Sequence, residues 1–304
     1  VVEDFRTVGA RLRTWGRWGP DDERGTLNHI TPERLAAAAA LVRHGRSFDL
    51  SIRLGRDGPQ LPGGLRVNPV HLMSATGRES TYPGGVGIAD DYLVLPLQAG
   101  TQWDALAHIQ YDGLLYNGVP AAAVTADGAA RNSAEALGPV AGAAVLLDVA
   151  RAVGTDALDD GFVITPDLLS ATAERQGVRV QPGDIVLVRT GQLRRFREGG
   201  ATAYAGNEPG LGLACCAWLA ERDVAAVASD NHGIEVLPGE DLDQFLPVHA
   251  VLVRDMGMPL GEIWHLDDLA ADCAADGVYR FFLSAPALRV AGGVGTPVTP
   301  HAIK

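Results

Sequence analysis

The segment LPLQAGTQWDALAH, residues 95–108, sets Gln98, Gln102, Asp104 and His108 at intervals of four, two and four. At those intervals the four side chains can converge on one point. Asp and His are common ligands of divalent cations, and an amide oxygen is a weaker, harder one, so the set suits a cation. It suits a hydrogen-bonded polar turn led by Gly100 and Thr101 as well. A second polar cluster lies in SDNHGIEVLPGEDLDQFLPVHAVLVRDMGMPLGEIW. There Asp230, Asn231, His232 and Glu235 directly follow an apolar run that reads as a strand, the position at which α/β sheets present ligand sites. Asn231 and His232 are candidate substrate contacts, whereas Asp230 and Glu235 read as solvated or turn acids. His249 opens another apolar run and Glu262 follows a Gly/Pro turn, so a strand and its return can bring both to one place.

Elements with clear sequence signals must position these groups. ITPERLAAAAALVRHG reads as a helix, with Thr31 as its cap, Pro32 in the first turn and Gly45 as its stop, and TPDLLSATAERQG repeats that grammar with Thr165, Pro166 and Gly177. LGLACCAWLAERD is a third helix. Near-continuous apolar runs at 143–150, 184–191, 224–230 and 249–255 read as strands buried on both faces, which calls for helices on both sides of the sheet. SFDLSIRL and YLVLPLQAG alternate more, so part of the sheet is expected to be antiparallel. The Gly/Pro-rich stretches RDGPQLPGGLRVNPVH and YPGGVGIADD read as loops lying over something. The fold class is therefore α/β, expected as one domain over residues 1–304 with residues 1–50 as a helical arm packed on it.

Composition narrows the function classes. Hydrophobic residues form 47% of the 304, enough for a large core, and 25 Lys+Arg against 37 Asp+Glu give a net charge of −12. With the arginines dispersed, nucleic acid and anionic membranes are disfavoured as partners. No stretch has the length and apolarity of a membrane span, the first residues lack a signal-peptide layout, and Cys215, Cys216 and Cys273 form no C-x-x-C pair. The reading is cytoplasmic, with a small molecule as the partner. G-x-S-x-G, the P-loop, H-E-x-x-H and a strand-to-helix G-x-G-x-x-G are all absent. Trp103, Tyr111 and Tyr116 flank the first segment and can form an aromatic wall for a flat cyclic or aryl substrate, or serve as core aromatics.

The collinear segments QAGTQWDALAH, YDGLLYNG, GDIVLVRTG, ASDNHGIEVLP, PVHAVLVRDMGMPLGEIWHLDDLA and GVYRFFLSAPALRVAGGVGTPVTPHAI resemble the cyclase-type metal-dependent hydrolases, the family of bacterial kynurenine formamidase and isatin hydrolase. WGPDDERGTLNHITPERL resembles the longer bacterial branch of that family. The resemblance implies a swivelling β/β/α fold, a homodimer or homotetramer, and hydrolysis of an amide, lactam or lactone bond by a metal-activated water. It implies Asp104, His249 and Glu262 as metal ligands and His108 as general acid/base or outer ligand. Gln98 and Gln102 stand where the family motif H-x-G-T-H-x-D-x-x-x-H has two metal-binding histidines. Oxygen donors at those positions point to a single divalent ion, Mn²⁺ or Zn²⁺, in an oxygen-rich centre. A biosynthetic cyclase or lyase using the same pocket, and a metal-free binding protein in which the two glutamines ended catalysis, are the rival readings.

Overall fold

The computed structural model describes residues 3–79 and 81–304. Its centre is a nine-stranded mixed sheet. In chain order the strands are β1 (Ser47–Asp49), β2 (Gln102–Asp104), β3 (Ala141–Asp148), β4 (Ile185–Arg189), β5 (Ala226–Ser229), β6 (Leu260–Glu262), β7 (Arg280–Ser284), β8 (Gly295–Pro297) and β9 (His301–Ile303). Their spatial order is β1-β9-β7-β3-β4-β5-β6-β2-β8. The four central strands, β3 to β6, run parallel, and every pairing outside them is antiparallel.

The apolar runs behave as their composition dictates. On β3 and β4, Val145, Leu147, Val186 and Val188 enter one core, while Ala144, Leu146, Ile185 and Leu187 enter another on the opposite face. Successive side chains of a strand point to opposite faces, so a strand covered on both sides must be apolar throughout. Burying each large aliphatic side chain contributes roughly 1.5–3 kcal/mol. The helices Pro166–Arg175 and Cys215–Glu221 cover the first face, and Asp267–Asp276 covers the second.

Thr31 and Thr165 cap their helices, each accepting from the backbone N–H three residues on at 3.3 Å. The first of these helices stops at Ala39, short of Gly45. The run at 249–255 is a correction: it forms a helical turn, Pro247–His249, that widens into a π-type turn, Ala250–Asp255, and is no strand. Its residues are buried on every side, so the apolar run carries no period to separate helix from strand, and Pro247 supplies a fixed φ for a first helical turn.

The helix Phe5–Leu12 packs against that turn, with Thr14 N–H donating to Asp255 O at 3.1 Å. Val70–Thr76 and Ala89–Val94 form a separate antiparallel ribbon. Among the described residues no helix is long and apolar enough to cross a membrane.

Candidate metal centre

The site forms where β2 and β6 lie side by side. In their antiparallel register Leu260 faces Asp104, Gly261 faces Trp103 and Glu262 faces Gln102. Gln102 and Glu262 are thus a cross-strand pair, and Gln102 Nε2 donates to Glu262 Oε2 at 2.5 Å. Asp104, two residues on, falls on the same face. Gly261 is required for this approach: a Cβ there would lie 2.9 Å from the Trp103 ring and 2.6 Å from Ala228 Cβ.

Asp104 is wholly buried, and neither of its carboxylate oxygens has a hydrogen-bond partner. Burial pushes its carboxyl up to about 6, with His108 and His249 pulling it down and Glu262 pushing it up. A buried carboxylate with both oxygens unpaired is a costly arrangement unless something positive sits beside it. His249, from the turn after Pro247, places Nε2 at 3.1 Å from Glu262 Oε1 and 4.0 Å from Asp104 Oδ2. One ligand atom each from Asp104, His249 and Glu262 lies within 4.8 Å of the other two.

Glu235 orients the imidazole. Its carboxylate accepts from Val248 N at 3.2 Å and His249 N at 2.9 Å, and its Oε1 lies 2.5 Å from His249 Nδ1. A proton on Nδ1 leaves Nε2 to face the site, the arrangement in which a carboxylate backs a ligating histidine. Burial opposes the imidazolium, yet the bonds to Glu235 and Glu262 outweigh it and hold the His249 pKa well above the ordinary range while no cation competes.

His108 stands at the open side. Its Nε2 is 3.8 Å from Asp104 Oδ1, its Nδ1 is 3.5 Å from Gln98 Nε2, and burial lowers its pKa. On the far wall Glu208 is buried, accepts from His232 N–H at 2.6 Å through Oε2 and leaves Oε1 unpartnered. Burial, followed by the charge of Glu262, raises its pKa well above the usual carboxylate range.

Residues 48–236, more than half of the chain, match a family model described as "Putative cyclase". The chain belongs to the cyclase family. A crystal structure described as a novel cyclase superimposes on this chain with a TM-score of 0.89 at 39% identity, over 96% of this chain and 99% of that one. Isatin hydrolase A from Ralstonia solanacearum aligns at 23% identity and TM-score 0.64, covering 90% and 98% of the two chains. A predicted metal-dependent hydrolase from Bacillus stearothermophilus aligns at 18% and 0.54, covering 86% and 98%. These two more distant likenesses concern the fold alone. A search of curated proteins gives no match.

Several candidates take other places in the structure. Trp103 is a correction: strand alternation turns it away from Asp104 into the core, where it packs edge-on against Trp264 at 4.9 Å and donates to Ala285 O. Tyr111 also leaves the site, since its hydroxyl donates to Asp255 Oδ2 at 2.5 Å and its ring meets Phe5, tying down the N-terminal helix. Tyr116 donates to Asp22 Oδ2 and is buried in the core. Asn231 is spent on a turn, donating to Pro209 O and accepting from Ile234 N–H. His232 does lie beside the site, its ring stacked on Tyr204 at 5.9 Å, and burial together with the nearby Arg66 charge lowers its pKa to about 4.

Two acids read as solvated are buried. Glu235 supports His249, and Asp230 accepts from Thr190 N–H, Thr190 Oγ1 and Gly191 N–H. Glu208 had no signal in spacing or motif; only the fold brings the GNEPGLG loop to the centre.

Proposed function

We propose that this protein is a metal-dependent hydrolase that cleaves an amide, lactam or lactone bond of a small cyclic or aryl substrate. The observation that carries the reading is Asp104: a fully buried carboxylate whose two oxygens lack partners, beside ligand atoms of His249 and Glu262. Several structural relatives are named isatin hydrolases or predicted metal-dependent hydrolases, which supports the same chemistry. Asp104, His249 and Glu262 would hold one divalent cation, Mn²⁺ or Zn²⁺. A cation of that kind polarises a carbonyl and lowers the pKa of water.

The remaining work falls to the chain's own groups. Glu235 fixes the tautomer and direction of His249, and Gln102 fixes Glu262 through its amide N–H. His108, held neutral by burial and reaching toward Asp104 from the open side, takes a proton from the attacking water and passes it to the leaving nitrogen or oxygen. The Gln102 oxygen is buried without a partner, as the Asp104 oxygens are, and would add a neutral oxygen donor to the same cation, whereas the Gln98 amide lies against His108. The reading includes a homo-oligomer.

Turnover in heavy-oxygen water tests hydrolysis directly. The label is expected in the carboxylate of the product, and its absence during turnover would assign a cyclase or lyase reaction instead.

A further inference from the structure

Residues 55–69 form a loop, with neither helix nor strand, that is pinned to the chain just ahead of the site. Gln60 N–H donates to Asn68 Oδ1 and Asn68 Nδ2 donates to Gln60 O, each at 2.9 Å, which closes the loop on itself. Two ties then hold it to the protein: buried Gln60 donates to Ala99 O at 3.1 Å, and Arg66 Nη1 donates to Gln98 O at 3.2 Å. Both acceptors belong to the turn that leads into Gln102 and Asp104.

Arg66 is half-buried and, among the described residues, forms no ion pair with a carboxylate. Other arginines out of full solvent differ: buried Arg189 pairs with Asp148 and Asp267, buried Arg254 with Asp255, and half-buried Arg280 with Asp184. Gln98, whose carbonyl takes the guanidinium, turns its side-chain amide to within 3.5 Å of His108 Nδ1, which puts Arg66 beside the open side of the site. One edge of the guanidinium is held by Gln98 O, and the planar fork keeps further N–H donors for a second acceptor.

We propose that Arg66 anchors the carboxylate of a bound ligand, so that the molecules this site takes are carboxylate-bearing. The physical need is clear. Asp104, Glu208, Glu235 and Glu262 already line the centre, and an anionic ligand entering among them must meet positive charge. A guanidinium offers it as two parallel charge-assisted bonds. The proposal rests on the hydrolase reading for the identity of the pocket. The carboxylate has two possible sources, a group the substrate carries apart from the reacting bond or the group that hydrolysis releases.

Calorimetric titration of benzoate into the protein tests this, using wild type, Arg66→Met and Arg66→Lys, each loaded with Mn²⁺ and each stripped of metal. Arg66→Met is expected to weaken benzoate about tenfold or more in the loaded protein, with Arg66→Lys between, because an ammonium keeps the charge and loses the fork. Wild-type binding that survives stripping and is lost in Arg66→Met assigns a carboxylate apart from the metal. Binding that needs Mn²⁺ and still weakens in Arg66→Met assigns the carboxylate released by hydrolysis. Equal affinities of wild type and Arg66→Met in both states overturn the proposal, as does wild-type protein that binds no benzoate in either. Metal content of the same samples keeps the two readings separate: protein that takes up no Mn²⁺ yet binds benzoate through Arg66 loses the hydrolase and keeps the anchor.

Discussion

Glu235 Oε1 lies 2.5 Å from His249 Nδ1, and this one bond decides that Nε2 is the imidazole nitrogen facing Asp104 and Glu262. Glu235→Gln keeps the shape and loses the charge, so Mn²⁺ affinity is expected to fall by about 10–100-fold with the fold intact. Glu235→Ala also strands the Val248 and His249 N–H groups, adding a destabilisation of about 1–3 kcal/mol for each. Competitive metal titration and thermal melting check both variants. An unchanged Mn²⁺ affinity in Glu235→Gln would remove the orienting role.

Asp104 sets a pH dependence whose sign follows from its raised pKa. Between about pH 4 and 6 the metal-free folded state holds a proton on Asp104 that the unfolded chain has released, so stability falls as pH rises through that window. Above it the full penalty stands, on the order of 2–3 kcal/mol for a shift from 3.8 to about 6. Metal-free Asp104→Asn is therefore expected to melt higher than metal-free wild type at pH 7 and to match it near pH 4. Saturating Mn²⁺ reverses the order at pH 7, because only wild type gains from the cation. Melting curves across pH, with and without Mn²⁺, read this out, and parallel curves for the two proteins would count against it.

His108 separates proton transfer from cation binding. Its Nε2 is 3.8 Å from Asp104 Oδ1, and its side chain keeps some exposure to the open side of the site. His108→Ala is expected to lower kcat by about 10²–10⁴-fold while metal content stays at the wild-type level. Loss of metal in that variant would make His108 a ligand.

The ribbon carries the expectation of a homo-oligomer. Val70 pairs with Val94 and Leu72 with Tyr92, which puts four apolar side chains on one face, and Leu72, Tyr92 and Val94 are exposed. An isolated two-stranded ribbon is marginal in water, so a cover from a second copy is the expected source of its order. Replacing both Leu72 and Tyr92 with Glu is expected to shift the mass measured by light scattering to that of a monomer. A wild-type chain that is monomeric at high concentration would end this expectation.

Part of this could be read from residue types alone. The runs at 143–150, 184–191 and 224–230 are near-continuously apolar because both faces of the parallel strands are covered, and Thr31 and Thr165 announce their helices chemically. The chain's membership in the cyclase family was legible in its collinear resemblance to that family, and the family match covers residues 48–236. Three things were not. The run at 249–255 is uniformly buried, so no period marked it as helical. Trp103 sits between two site residues, and only the pairing of β2 with β6 and β8 shows that its side chain leaves by the other face. Glu208 and Arg66 lie far along the chain from Asp104 in loops of ordinary composition, and their relation to the site exists only after folding.

The central claim is that Asp104, His249 and Glu262 hold a divalent cation. Elemental analysis of protein purified without chelator, paired with Asp104→Ala prepared in the same way, tests it most directly. The expected result is about one equivalent of Mn²⁺ or Zn²⁺ in wild type, a loss of that metal in the variant, and a higher melting temperature of wild type on adding either ion. Wild-type protein without metal that neither binds nor is stabilised by added Mn²⁺ or Zn²⁺ would contradict the claim, and equal metal content in Asp104→Ala would take Asp104 out of the ligand set.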